Sequence, residues 1–434
     1  MFLLNGSRNG TNCDGASRRD FLKVGALGLG GFLLPDLLRA RARAAAQGQT
    51  TRNTSVVWLW LGGGPTQIET FDPKPDAPVE FRSTVGSTPT CLPGVQFGGV
   101  FPKLAQNADK LAVVRSFAHS NSGHGGGTHW VMTGYNFPQA DNNGGQNKPG
   151  IGAIVSRFRG ANNAASGLPT YVRFGGTLGD GPSWLGAPYA PFDVAGNARN
   201  DMNLQMTLDN LADRRSLLKG FDDLNRDIDR TGGMRGLDSF DSQAFDLVLS
   251  KARDSFDVNR EDPRVRDRYG KGLGEQLLTA RRLCESGVGF VTVHFGGWDM
   301  HGGIVPAMKN LGPQVDHAVN AFLEDTTESG INQDLLLVIT GEFGRTPRVN
   351  AGAGRDHWAP LSTLCLAGGG LKMGQIVGES TAKAETPKTT PVSPQDLMAT
   401  VFHVLGLPQD LQYRDPSGRP TSMIDGGKPI AELV

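Results

Sequence analysis

Residues 288–303 read VGFVTVHFGGWDMHGG, a run of apolar and β-branched residues followed by a glycine-rich run. The apolar run is nearly continuous, which is typical of a strand in a parallel sheet that helices cover on both faces. The glycine-rich run contains Asp299 and His301, and carboxylates and imidazoles are ligands of transition metals. The stretch predicts a buried strand followed by a loop that either holds a metal ion or only turns the chain.

Other segments repeat this strand pattern, and helical patterns separate them. Further apolar runs of the same kind begin at Ser55, Leu111, Thr170, Asp334 and Leu361. Apolar residues recur at helical spacing in residues 273–286, 313–323 and 393–406. The alternation predicts an α/β fold, with a mostly parallel sheet sandwiched by helices.

The first 46 residues differ in composition from the rest of the chain. Arg18 and Arg19 precede an apolar run of about a dozen residues, which is shorter than the roughly 18 that a membrane-spanning helix needs. An A-x-A motif follows, and we expect cleavage after Ala46. The paired arginines resemble a twin-arginine signal, with a tethering amphipathic helix as the alternative. We expect export to the periplasm or extracellular space, without a stable membrane anchor after cleavage.

Residues 47–434 are expected to form one α/β domain. Residues 175–268 are polar, charged and helical in pattern, so we expect a helical insertion or cap there rather than part of the sheet. The chain has 43 basic and 43 acidic residues, a balance that argues against nucleic acid or an anionic membrane as the main partner. Beyond residue 46 the cysteines are Cys91, Cys284 and Cys365. An odd number without a C-x-x-C motif argues against a disulfide framework or a cysteine zinc site.

Polar residues concentrate in the predicted loops. Ligands bind at the carboxyl ends of the strands in open α/β sheets. Four glycine-rich or histidine-bearing stretches follow predicted strands, and GRDHW, residues 354–358, precedes another. We expect these loops to bring together His119, His124, His129, Asp299, His301, Glu342 and His357.

Three of these residues form the predicted metal site. Asp299 and His301 point to one side if the chain is extended there, because side chains alternate with a period of two. With His357 they would offer one carboxylate and two imidazoles, a set that suits Zn, with Mn or Fe as alternatives. A hydrogen-bonded turn is the alternative for the Asp-x-His pair alone.

Several motifs resemble known families. VITGEFG, residues 338–344, resembles the strand ending in T-S-D-H-G of the alkaline phosphatase superfamily, which includes sulfatases and phosphoglycerate mutases. Residues 357–374 resemble that superfamily's metal-binding histidine and the strand that follows it. Residues 393–406 resemble its late helix. The twin-arginine start, GGWDMHGG, GEFGRTP and GRDHW resemble the exported bacterial family of domain of unknown function 1501, over nearly the whole mature chain.

The superfamily resemblance implies one metal site more readily than two. Asp299, His301 and His357 match the Asp, His and His that hold one metal. The second metal's Asp and His correspond here to Glu342, which can bind, and Phe343, which cannot. Its aspartate after the first strand corresponds to three glycines, residues 62–64, for which Glu69 or Asp72 could substitute.

The resemblance leaves the nucleophile open. Thr128 is expected at the start of a helix that ends in Thr133-Gly134, where backbone N–H groups favour an anion. The sulfatase nucleophile position falls on His124 instead, and no C-x-P-S-R motif occurs. Ser120, Ser122 or a water are further candidates, and Thr128 could be only a helix cap.

Arginines near the site have two interpretations. Arg345 and Arg355 could bind a phosphate or sulfate in bidentate fashion, and Arg345 could stabilise developing charge. Alternatively they form structural ion pairs with Asp356 or Glu342. Trp298 and Trp358 are expected to be packing residues.

Two functions follow from these patterns. The first is an exported metal-dependent hydrolase of phosphate or sulfate esters, including small anionic or polysaccharide esters. The second is a non-catalytic metal-binding or interaction protein on the same fold.

Overall fold

The computed structural model describes residues 54–142, 145–194 and 251–434. The predicted export signal and residues 195–250 of the predicted insertion lie outside the described residues. The strands are β1 Ser55–Trp60, β2 Ser87–Pro89, β3 Gln96–Gly98, β4 Ala112–Val114, β5 Tyr171–Phe174, β6 Phe192–Asp193, β7 Phe290–His294, β8 Leu335–Thr340, β9 Gly344–Arg345, β10 His357–Trp358, β11 Leu364–Gly368, β12 Gln375–Val377, β13 Gln412–Arg414 and β14 Pro420–Ser422. The α-helices are α1 Pro102–Gln106, α2 His124–Thr133, α3 Ile151–Arg159, α4 Pro263–Tyr269, α5 Leu273–Glu285, α6 Ile304–Glu328 and α7 Pro394–Leu405.

Eight strands form one sheet in the order β12-β4-β11-β8-β1-β7-β5-β6. Strand β1 pairs in parallel with β7 and β8, and β5 pairs in parallel with β7 and β6. Strand β11 runs antiparallel to both of its neighbours, β8 and β4. All six predicted buried strands belong to this sheet, so the prediction of a mostly parallel α/β sheet is confirmed.

Both faces of the sheet are covered, as the continuous apolar strands predict. In β1, Val57 and Leu59 face a core with α1, α5 and α6. The alternate residues Val56, Trp58 and Trp60 face a second core with α2, α3 and α7. Side chains alternate along a strand, so a central strand that is buried on both sides needs an apolar residue at every position.

Two of the three predicted helices have the expected bounds. Helix α5 coincides with its predicted segment. Helix α7 begins after Ser393, which forms a capping box with Asp396, and ends at the left-handed Gly406. The prediction for residues 313–323 is wrong in extent, since α6 continues through Pro313. The helix preceding that proline packs Ile304 and Met308 into the core, which compensates for the lost backbone hydrogen bond.

One described end of the predicted insertion adds a strand to the sheet, whereas the other end is helical. Strand β6 pairs with β5 at the edge of the sheet, so the expectation that residues 175–268 are separate from the sheet is wrong for this part. Arg173 on β5 reinforces the pairing, because its Nε donates to Asp193 at 2.9 Å. At the other end of the segment α4 is helical, as expected.

The described residues contain no helix that is both long and apolar enough to cross a membrane. Cys91, Cys284 and Cys365 are free thiols in the described part of the chain.

Candidate metal centre

The topology explains why distant segments meet at one edge of the sheet. The parallel neighbours β7, β1 and β8 end at the same edge, so the loops that follow them lie side by side. Strand β11 is antiparallel to β8, and the chain that precedes it, including β10, reaches that edge from the opposite direction. The ribbon of β9 and β10 then places His357 opposite Arg345.

Asp299 is the centre of the cluster. Its Oδ1 lies 2.5 Å from Nη2 of Arg345, 3.0 Å from Nε2 of His301 and 3.2 Å from Nε2 of His357. Its Oδ2 lies 3.3 Å from Nε2 of His124. Burial would raise the pKa of Asp299, but the Arg345 guanidinium outweighs it and lowers the pKa to about 2. The carboxylate is therefore charged at neutral pH.

His301 and His357 each form a hydrogen bond from Nδ1 to an acceptor outside the cluster. Nδ1 of His301 contacts the Asp356 carboxylate at 2.8 Å, and Nδ1 of His357 contacts the Ser122 carbonyl at 2.9 Å. Carbonyl and carboxylate oxygens only accept, so this network assigns the hydrogen to Nδ1 in both rings. Burial lowers the pKa of His357 and favours its neutral form.

The two Nε2 atoms of His301 and His357 are 2.9 Å apart. Both Nε2 atoms also lie close to Oδ1 of Asp299, at 3.0 Å for His301 and 3.2 Å for His357, so the three atoms surround a position for a shared proton or a cation. Carboxylate and backbone acceptors that hold the far ring nitrogen are the usual outer partners of metal-binding histidines. The donor set therefore fits a divalent ion of the zinc type.

His124 joins the cluster, and Glu342 holds it there. Nδ1 of His124 contacts Oε1 of Glu342 at 2.8 Å, and this hydrogen bond raises the pKa of His124. The same Oε1 accepts the N–H of Gly63 at 2.8 Å. Atoms of His124, Asp299 and His357 lie within 4.8 Å of one another. Glu342, which the sequence predicted as a ligand, contacts the cluster through His124 instead.

Only one of the two oxygens of the Glu342 carboxylate has hydrogen-bond partners among the described residues. The residue is 3% exposed, and its Oε2 has no hydrogen-bond partner among the described residues. His119 supports its backbone, since its Nε2 lies 2.6 Å from the Glu342 carbonyl. Burial lowers the pKa of His119 to about 4, so this ring is neutral and structural.

The glycines after β1 leave no room for the superfamily's aspartate. Gly63 has a φ of +112°, and a Cβ there would lie 2.5 Å from the Asp299 backbone nitrogen. The predicted substitutes do not reach the cluster. Glu69 binds Arg355, and Asp72 binds Lys74 and Arg115. The expectation that Glu69 or Asp72 supplies a ligand is therefore wrong.

Replacing Gly63 by alanine is expected to destabilise the protein and to displace Asp299. The positive φ alone costs about 1–3 kcal/mol, and the added Cβ meets backbone that cannot move without shifting Asp299. Gly86→Ala is the matched control, because Gly86 has a φ of +73° and open space around its Cβ. We expect guanidinium unfolding to show a larger loss for Gly63→Ala. Equal losses in the two variants would contradict the close approach.

Arg345 lies behind Asp299 rather than facing solvent. Its side chain is 0% exposed, and it donates to the carbonyls of Gly64, Arg355 and Gly63 as well as to Asp299. The burial argues against the predicted contact with substrate charge, and the ion-pair partner is Asp299 rather than Asp356 or Glu342. Arg345 fixes the position of Asp299.

The expected position of Thr128 is wrong. Helix α2 begins at His124, after the Gly123 cap, so Thr128 is the fifth helical residue and is 6% exposed. Three glycines after His124 obscured the true start, because glycine disfavours helix in isolation. Ser122 and His129, two further polar residues of this segment, are held by local contacts. Oγ of Ser122 accepts the Ala359 N–H at 3.0 Å, and Nδ1 of His129 lies 2.9 Å from the Tyr135 carbonyl.

The tryptophans are packing residues, as predicted. Trp298 is buried, and Trp358 packs on a small apolar cluster while its indole N–H donates to the Glu385 carbonyl at 2.6 Å. Sequence reasoning missed Asp356 as the partner of His301. The signal was present, because Asp356 directly precedes His357 in GRDHW.

A family model described as protein of unknown function (DUF1501) matches residues 53–434. The chain belongs to the DUF1501 family. No curated protein matches it in sequence. The match confirms the family that the GGWDMHGG, GEFGRTP and GRDHW motifs indicate.

Several solved structures are similar to the DUF1501 chain at low identity. The lipoteichoic acid synthase LtaP from Listeria monocytogenes is 9% identical, with a TM-score of 0.39 and coverage of 89% of this chain and 77% of that one. The PsFucS1 sulfatase from Pseudoalteromonas sp. is 11% identical, with a TM-score of 0.40 and coverage of 88% and 73%. The periplasmic domain of EcEptC from Escherichia coli, in complex with Zn, is 11% identical, with a TM-score of 0.40 and coverage of 89% and 93%. At these TM-scores the likeness carries no information about function.

Proposed function

We propose that this protein is an exported, metal-dependent hydrolase of phosphate or sulfate esters with an alkaline phosphatase-like fold. The observation that supports the proposal is the pair of Nε2 atoms of His301 and His357, 2.9 Å apart beside Asp299. Each ring is oriented by an acceptor at its other nitrogen. Two imidazoles that are oriented in this way beside a carboxylate are a donor set that suits a divalent cation.

Asp299, His301 and His357 would hold the metal, with Zn as the first candidate and Mn or Fe as alternatives. One site is proposed rather than two, because Phe343 and the glycines after β1 offer no further side-chain ligands. A divalent ion there would polarise the ester oxygen and lower the pKa of a coordinated water. The chain's own contribution is positional, since Arg345 fixes the Asp299 carboxylate while Asp356 and the Ser122 carbonyl fix the imidazoles.

Asp356→Asn is expected to weaken metal binding about 10–100-fold, because the amide is a poorer acceptor for the Nδ1 hydrogen of His301. Competition with a chromophoric chelator measures the affinity. Asp76→Asn, at an exposed turn, is the matched control and should bind as the wild type does. An unchanged affinity in Asp356→Asn would show that this carboxylate does not orient the ring.

A specific observation favours the second candidate, a non-catalytic metal-binding protein. His124 lies close enough to Asp299 and His357 to act as a further ligand. Three imidazoles and one carboxylate would then close a tetrahedral site, and closed sites are typical of structural zinc. The burial of Thr128 also argues against its use as the nucleophile.

Metal content and ester hydrolysis separate the two candidates. The mature protein, purified without chelator, is analysed by plasma mass spectrometry and assayed with 4-nitrophenyl phosphate, 4-nitrophenyl sulfate and sulfated or phosphorylated polysaccharides. About one metal per chain with turnover of any ester supports the hydrolase. Metal without turnover supports the binding protein, and folded protein without metal overturns both.

Export by the twin-arginine route is part of the proposal and rests on Arg18, Arg19 and the apolar run behind them. N-terminal sequencing of the exported protein is expected to begin at Gln47. An unprocessed chain in the cytoplasmic fraction would contradict it.

A further inference from the structure

We infer that Asn350 is a positioning residue of the candidate metal centre, because its amide joins the loop that carries His301 to the loop that carries His357. Residues 350–354, which form the turn that Asn350 begins, are called the clasp. The inference rests on the proposed metal site and adds a residue that acts through the candidate ligands. Its consequence is that binding of the metal and closure of the clasp stabilise each other.

The amide of Asn350 makes four hydrogen bonds. Its Nδ2 donates to the His301 carbonyl at 3.0 Å and to Oδ1 of Asp356 at 3.2 Å. Its Oδ1 accepts the N–H of Gly352 at 2.9 Å and the N–H of Gly354 at 3.0 Å. Backbone N–H groups only donate, and carbonyl and carboxylate oxygens only accept, so these partners determine which way the amide is turned.

The clasp lies directly against the segment that carries His301. Three backbone hydrogen bonds join the two segments, from the N–H of Gly303 to the Gly352 carbonyl at 3.1 Å, from Ile304 to Ala353 at 2.9 Å and from Arg355 to Met300 at 2.9 Å. Gly354 permits this close approach, since a Cβ there would collide with the His301 carbonyl carbon. The backbone of His301 therefore cannot move without opening the clasp.

Asn350 acts on His301 at two points. It binds the carbonyl of His301, and it shares Oδ1 of Asp356 with Nδ1 of the His301 ring, which lies 2.8 Å from that oxygen. Asp356 directly precedes His357 in the chain, so the carboxylate that Asn350 binds belongs to the loop of the second candidate histidine. A carboxylate at the far nitrogen of a metal-binding histidine orients the ring. Asn350 holds that carboxylate and thereby fixes both the ring and the backbone of His301.

The clasp has little else to hold it closed. Residues 351–353 are exposed, and Ala353 has a φ of +53°, a conformation that residues other than glycine rarely adopt. Segments with few buried apolar contacts open more readily than the core. An ion that binds only when the clasp is closed stabilises the closed form, and the closed clasp raises the affinity for the ion by the same factor.

A residue that only caps the turn would need no more than the acceptor oxygen. Asn and Asp side chains both accept backbone N–H groups in such turns. Asn350→Asp therefore separates the two roles, because it keeps the acceptor for Gly352 and Gly354 but loses both donors to the candidate centre. The added negative charge would by itself attract a cation, so weaker metal binding in this variant comes from the lost donors and not from charge.

The affinity of the mature protein for Zn²⁺ is measured by competition with a chromophoric chelator. Asn350→Ala and Asn350→Asp are expected to bind Zn²⁺ about 10-fold more weakly than the wild type or worse. Both should also change the visible absorption of bound Co²⁺, which reports the ligand geometry. Asn136→Ala, at an exposed position beyond the far end of α2, is the control and should match the wild type. Circular dichroism establishes that each variant is folded.

Hydrogen exchange of the wild type, followed by mass spectrometry, tests the coupling even if a variant fails to fold. Zn²⁺ is expected to slow exchange in peptides from residues 300–304 and also from residues 350–355. Slowing in the first segment alone would overturn the inference, and so would wild-type affinity in a folded Asn350→Asp protein, which would make Asn350 a turn cap and leave the metal site standing. A folded wild type that binds no Zn²⁺ would overturn the inference together with the proposed site.

Discussion

The Asp299→Asn protein is expected to contain almost no metal, against about one ion per chain in the wild type. Among the residues that the structure describes, Asp299 is the one carboxylate that contacts His301, His357 and Arg345 together. The amide keeps the shape of the side chain but loses the negative charge that attracts a cation. Loss of a residue that only hydrogen-bonds to a metal ligand weakens metal affinity about 10–100-fold. Loss of a direct ligand should therefore weaken the affinity by more than about 100-fold. Plasma mass spectrometry and chelator competition measure both quantities.

The same substitution leaves the buried Arg345 guanidinium without its counter-charge, so a folding control is needed. Circular dichroism and guanidinium unfolding establish whether Asp299→Asn is folded when its metal is measured. Asp76→Asn makes the same chemical change at an exposed turn and should keep its metal. A folded Asp299→Asn protein with full metal content would show that Asp299 is not a ligand.

The sheet could be predicted from the sequence because its central strands have no polar face. Strands β1 and β8 are buried at every position, so their apolar runs are continuous and unambiguous. The direction of β11 could not be predicted in this way, since apolar periodicity contains no information on strand direction. That direction brings His357 to the edge where β7 and β8 end.

The sequence indicated which residues meet in the candidate site more accurately than it indicated what each of them does there. The Asp-x-His spacing and GRDHW correctly indicated that Asp299, His301 and His357 meet. The roles of Glu342 and Arg345 depend on how deeply each side chain is buried. Burial in a loop depends on the path of the backbone, which the residue types alone do not determine. Helix α2 begins earlier than expected because tertiary packing outweighs the low helix propensity of its glycines.

Glu69→Gln is expected to lower the free energy of unfolding by about 3–5 kcal/mol, a large part of a typical domain's stability. Glu69 and Arg355 are both 0% exposed, with Nη2 of Arg355 at 2.9 Å from Oε1 and Nε at 3.1 Å from Oε2. The substitution keeps the size of the side chain but leaves a guanidinium buried without a counter-charge. Guanidinium unfolding followed by tryptophan fluorescence measures the loss.

Glu379→Gln makes the same change in the exposed ion pair with Lys388 and should leave stability unchanged, because solvent screens such pairs. Arg355 also donates to the carbonyls of Thr346 and Arg82, and it directly precedes Asp356 and His357. Loss of Glu69 should therefore weaken metal binding as well as folding, although Glu69 touches no candidate ligand. A Glu69→Gln protein as stable as Glu379→Gln would mean that the backbone carbonyls alone hold Arg355, and the site loop would then not depend on the ion pair.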